Sequence, residues 1–123
     1  MWNYSQSTGT LTAPDGTAYT GNYSGHGLGV NAPALQSEPD IGPIPQGLYT
    51  IGPPFTDPEK GPLVMALTPD PANEMYGRSG FELHGDLVTE MGRRLASLGC
   101  IVAPHATRAA IAGSGYNTLR VVG

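Results

Sequence analysis

Cysteine is nearly absent from this chain: Cys100 is the only one in 123 residues. An intrachain disulfide is therefore excluded, and so is a zinc site built on several thiolates. Charge is scarce too, at 13% of residues, with 6 basic and 10 acidic side chains and a formal net charge of −4. Nucleic-acid binding needs a patch of phosphate-neutralising cations. The nearest candidate, Arg93-Arg94, is too small. Aromatic residues reach only 7%, which gives little support to an exposed aromatic binding platform. No run approaches the roughly 20 consecutive apolar residues that a membrane span requires, so no membrane insertion is expected. Met1-Trp2-Asn3-Tyr4 begins like a strand, not like a basic and then apolar signal peptide. Synthesis in the cytoplasm without a signal peptide is the expectation.

What is abundant is punctuation. The chain has 18 glycines and 12 prolines, spread so that no long helix-compatible window remains, and a helical bundle is excluded. With 39% hydrophobic residues and little charge, it is not a disordered chain either. The length suits one loop-rich domain over residues 1–123. Residues 1–23 alternate Trp2, Tyr4, Leu11, Tyr19 and Tyr23 with polar and turn residues, and Ser7-Thr8-Gly9 and Pro14-Asp15-Gly16 mark turns. Two or three short hairpin-linked strands are expected there. Gly25 to Pro45 reads as a long structured loop with about one helical turn. Strands are expected over Gly47 to Ile51, Leu63 to Thr68 (buried on both faces), Gly80 to His84, Cys100 to Val102 and Thr118 to Val122. Pro104 to Ala112, closed by Gly113, has helix punctuation, and a shorter helix is expected over Val88 to Ala96. About eight short strands and one or two short helices predict a mainly β sandwich or partly closed barrel.

The chemistry gathers in two segments, Phe81-Glu82-Leu83-His84-Gly85-Asp86 and Ala96-Ser97-Leu98-Gly99-Cys100-Ile101-Val102. Gly99 before Cys100 permits a tight turn with an open approach to the sulfur and frees N–H groups for an oxyanion. A Cys–His pair can form a thiolate–imidazolium couple in which the thiol pKa falls. A hairpin between the two strands would bring His84 to Cys100. The competing reading is a packed core cysteine beside an unrelated histidine.

His84-Gly85, followed by Ser97-Leu98-Gly99-Cys100-Ile101, resembles the His-Gly and Ser/Thr-His-Gly-Cys signature of the L,D-transpeptidases. Gly42-Pro43-Ile44-Pro45-Gln46-Gly47-Leu48-Tyr49-Thr50-Ile51 looks like the same family's Thr-Pro-x-Gly-x-Tyr/Phe-x-Ile strand. Tyr23-Ser24-Gly25 and Asn31 extend the resemblance to a branch of small L,D-transpeptidase-like toxins delivered between Gram-negative bacteria by type VI secretion. Leu98 stands where most members have a histidine, and Val102-Ala103 lack the arginine usually found just after the cysteine.

The resemblance implies an L,D-transpeptidase-like β domain and a peptidoglycan-modifying enzyme, with L,D-carboxypeptidase or exchange activity on tetrapeptide stems. Cys100 is then the nucleophile and His84 the base. The Gly85 carbonyl or the Asp86 carboxylate orients the imidazole, Asp86 sharing the strand face of His84 if the strand continues. The backbone of Gly99 and Cys100 forms the oxyanion hole. Arg78 and Ser79 are candidate ligands of a stem carboxylate, with Arg108 an alternative source of the missing charge. Tyr23 and His26 are candidates for the cleft wall, and Ser97 for supporting the cysteine loop. Peptidoglycan stem peptides, a cognate immunity protein and type VI secretion components are the implied partners. The implied place of action is the periplasm of the target bacterium. A monomer is expected. No cofactor is expected, since a thiolate attacking a carbonyl needs no Lewis acid, and His26, His84, Asp86 and His105 lack a recognised ligand spacing. Two alternatives remain beside this: a papain-like Cys–His amidase or endopeptidase, disfavoured because His84 precedes Cys100, and a non-catalytic wall-binding β domain.

Overall fold

A computed structural model describes residues 1–86 and 97–123. The helix expected over Val88 to Ala96, and the Arg93-Arg94 pair, lie outside the described residues. Ten strands form: β1 (Trp2–Ser5), β2 (Leu11–Thr12), β3 (Ala18–Tyr19), β4 (Tyr23–Ser24), β5 (Gly47–Ile51), β6 (Phe55–Asp57), β7 (Gly61–Pro69), β8 (Glu82–His84), β9 (Ile101–Val102) and β10 (Thr118–Val122). The α-helix α1 spans His105–Gly113. The fold is mainly β, as expected. The strand order is β3-β2-β1-β10-β5-β7-β8-β9-β4, with β6 beside β7. Among the described residues this path has two free ends, so the sheet is open rather than closed into a barrel.

Alternation builds the central strands. Trp2 and Tyr4 on β1, Tyr49 and Ile51 on β5, and Leu119 and Val121 on β10 are buried, while Asn3, Thr50 and Arg120 are exposed. Register makes these one layer: Trp2 is level with Leu119, and Leu119 with Tyr49. Side chains at paired positions share a face of the sheet, so the apolar set falls on one side. Leu83, Ile101 and Ile111 join the same core cluster. Each such side chain contributes about 1.5–3 kcal/mol by burial.

The segment between β4 and β5 holds two 3₁₀ turns, Gly27–Gly29 and Pro33–Leu35, where about one helical turn was expected. The Ser24 hydroxyl pins this loop. It donates to the Gly99 carbonyl at 2.7 Å and accepts from the Ile44 N–H at 2.8 Å. Strand β6 was not anticipated, because Pro53-Pro54 and Pro58 flank it and it survives only as the edge partner of β7. On β7, Val64, Met65 and Leu67 are buried, while Pro62 and Thr68 are exposed. Burial on both faces is thus confined to the middle of the strand. Helix α1 starts one residue later than expected, with Pro104 as N-cap, and takes in Gly113.

Candidate active site

Strands β8 and β9 run parallel, with Leu83 level with Ile101 and His84 level with Val102. The hairpin expected between His84 and Cys100 is thereby corrected, since hairpin arms are antiparallel. The parallel register achieves the juxtaposition another way. Cys100, one residue before β9, is level with Glu82. Leu83 and Ile101 turn into the core, so Glu82, His84 and Cys100 share the opposite face.

The thiol is partly buried and contacts backbone on both sides. The Glu82 N–H points to Cys100 Sγ at 3.3 Å, and Sγ lies 3.9 Å from the Gly80 carbonyl. Gly99 has φ +140, and a Cβ there would come within 2.5 Å of Arg78 Nη2 and 2.8 Å of the Phe81 ring. Only glycine fits the position. Ser97, fully buried, ties the loop: its hydroxyl donates to the Cys100 carbonyl at 2.6 Å and accepts from the Gly25 and Gly99 N–H groups, each at 3.0 Å. Its place is therefore inside the loop, as a support rather than a substrate contact. The Gly99 N–H is committed to Ser97, which corrects the expectation that it serves an oxyanion.

His84 is 3% exposed, and its Nδ1 lies 2.8 Å from the Gly85 carbonyl. Nδ1–H donation to that carbonyl leaves Nε2 as the basic nitrogen. Strand β8 ends at His84, so Asp86 does not continue its face. The Asp86 carboxylate instead accepts from the Tyr23 hydroxyl at 2.8 Å. Burial pushes the imidazole below its ordinary pKa, against the Gly85 hydrogen bond. Burial also raises the Cys100 thiol, with the Glu82 N–H, Lys60 and Arg78 pulling the other way. The resting pair is accordingly thiol and neutral imidazole. The expected fall in the cysteine pKa is corrected: the sulfur loses more hydration than its neighbours return in charge stabilisation.

A cleft of about 620 Å³ opens beside His84, lined among others by Tyr23, Lys60, Gly85, Asp86, His105 and Arg108. Arg78 is elsewhere. Its four terminal N–H groups go to the carbonyls of Gln36 and Pro43 (both 2.7 Å), Gly42 (2.9 Å) and Leu98 (3.2 Å), and it stacks over Phe81. It is a clamp between the long loop and the cysteine loop, with no terminal donor left for a stem carboxylate. Ser79 is exposed near that clamp, and His26 is not in the cleft wall. Among the described residues no three His, Cys, Asp or Glu side chains come together as metal ligands.

Two charged residues escaped the sequence reading. Lys60, in the β6–β7 turn, forms an ion pair with Glu82, and its charge acts on both His84 and Cys100. Glu82 was findable, two residues before His84 on a predicted strand. Lys60 carried no local signal, being an ordinary turn lysine.

The Tlde1 domain family model matches residues 18–122. The chain belongs to the Tlde1 domain family. That family is one of type VI secretion effectors, so membership makes this Tlde1 domain an effector directed enzymatically at the cell wall. No curated protein matches the chain. The match leaves out β1 and β2 and includes every element that builds the cysteine–histidine face.

Proposed function

We propose that this Tlde1 domain is a cysteine-dependent peptidoglycan enzyme, an L,D-carboxypeptidase or exchange transpeptidase acting on tetrapeptide stems. The observation that carries the reading is the shared face of Cys100 and His84 on two paired parallel strands, with Nδ1 of the histidine held by its neighbour's carbonyl. In the proposed reaction His84 Nε2 takes the thiol proton as Cys100 sulfur attacks the stem carbonyl. The Cys100 N–H, not the occupied Gly99 N–H, is the loop donor left for the oxyanion. The C–N bond then breaks, and the imidazolium returns its proton to the departing amine, leaving a thioester on Cys100. Water resolves the thioester to the shortened stem, or a free amino acid resolves it to an exchanged one. Arg78 and Lys60 offset part of the charge on the attacking sulfur. The site of action is the periplasm of a recipient bacterium, with a cognate immunity protein as partner.

Mass spectrometry of purified muropeptides after incubation with the protein tests the reaction. Loss of one terminal D-alanine from tetrapeptides supports it, and intact stems refute it. Targeting the domain to the periplasm of a Gram-negative host should cause swelling or lysis, and the Cys100→Ala form should be harmless.

A further inference from the structure

We infer that the cleft beside His84 receives the residue that departs from the scissile bond, and that Lys60 and Arg108 hold its free C-terminal carboxylate. Such a site removes one terminal residue and discriminates against stems whose end is blocked. The inference rests on the cysteine–histidine reading and deepens it.

Direction comes from register. Cys100 is level with Glu82, and His84 stands two residues further along the same face, roughly 6–7 Å on. The cleft wall includes His84 and continues through Gly85 and Asp86 to Tyr23, while Cys100 is not part of it. A substrate with its carbonyl carbon at the sulfur and its departing nitrogen at the imidazole therefore sends the departing residue into this cleft.

Charge supplies the ligand class. Arg108 is 7% exposed and held rigidly: Nε donates to the Ala103 carbonyl at 3.0 Å, and Nη1 to the carbonyls of Pro62 (2.6 Å) and Leu63 (3.2 Å). Its Nη2 donates to none of the described residues. It lies against Gly85, where a Cβ would approach it to 2.8 Å. Among the described residues no carboxylate pairs with this guanidinium. A buried cation with no counter-ion among the described residues, and with an N–H₂ left over at the wall of a cleft, is poised for an anion. Lys60 is in the same wall, its side chain 38% exposed and paired with Glu82. Glu59 and Asp86 are there as well. Two cations and two carboxylates suit an amino acid with both termini free better than they suit a polyanion.

The test compares a synthetic stem tetrapeptide ending in a free carboxylate with the same peptide ending in a carboxamide. Wild-type kcat/KM should favour the acid by about 10- to 100-fold, the worth of one or two charge-assisted hydrogen bonds. In Lys60→Gln the ratio should fall toward one, beyond any loss of turnover common to both peptides that comes from removing a cation near the sulfur. Arg108→Lys, which keeps a cation but loses the fork, should reduce the ratio too. Equal wild-type rates on acid and amide, or an unchanged ratio in both variants, would overturn the subsite and leave the cysteine chemistry standing. Turnover of neither peptide, with Cys100 never acylated, would overturn the cysteine–histidine reading and the subsite together.

Discussion

The β1–β10 and β8–β9 pairs are both parallel, yet they are built differently. The first runs four rungs, from Trp2 with Leu119 to Ser5 with Val122, and alternates buried with exposed residues along both strands. One face packs on the core and the other meets solvent. The second has two rungs, and of its five strand residues only Glu82 is not buried. The polar groups around it are satisfied by loops: Ser97, Ser24 and Arg78 are all buried and bonded to backbone. The long ladder stabilises by apolar area. The short one holds the cysteine loop in place through hydrogen bonds from Ser24 and Arg78, and its imidazole through the neighbouring Gly85 carbonyl.

The largest effect that separates the two is catalytic. Cys100→Ala should reduce turnover by at least about 10⁴-fold while the thermal midpoint stays nearly constant, checked by stem-peptide assays beside melting curves. Activity retained in that variant would break the division of labour. Leu119→Ala in the long ladder should do the reverse. It should cost about 2–5 kcal/mol of stability in urea titrations, with normal turnover from the fraction that remains folded.

Ser97→Ala sits between these extremes. It strips the acceptor from the buried Gly25 and Gly99 N–H groups, at about 1–3 kcal/mol for an unsatisfied group, and loosens the cysteine loop. Both stability and kcat should fall. A loss of stability with kcat unchanged would show that the loop holds its shape without the hydroxyl.

The smallest effect is in the pH dependence of stability. The folded pKa of His84 lies below its ordinary 6.5, so its contribution is full above pH 6.5 and is lost as pH falls through the folded value. The thiol of Cys100 lies above its ordinary 9.0, so its contribution is full below pH 9.0 and is lost as pH rises through the folded value. The difference between wild-type and Cys100→Ala melting temperatures should be flat below pH 9.0 and change above it. Leu119 itself carries no titrating group, and Leu119→Ala should shift the whole curve evenly.

Much of the molecule was legible because short-range rules apply within a few residues. Thr118–Val122 and Gly47–Ile51 are strands over the ranges that their patterns predicted. His84 and Cys100 stood out through their neighbours. Arg78 shows where this stops. Its sequence surroundings offered a candidate ligand for a stem carboxylate, while its four carbonyl partners come from the long loop and from the cysteine loop. No local pattern predicts that an arginine will be consumed by carbonyls.

The sequence by itself determined a mainly β domain with one described helix, a cysteine behind a glycine, and a histidine at a strand end, because periodicity, turn chemistry and punctuation act between near neighbours in the chain. Only the tertiary structure decided that β8 and β9 are parallel, that Lys60 pairs with Glu82, that Asp86 serves Tyr23, and that the thiol is raised rather than lowered. Those outcomes depend on burial and on charges brought from tens of residues away, and hydration lost at a site is a property of everything packed around it.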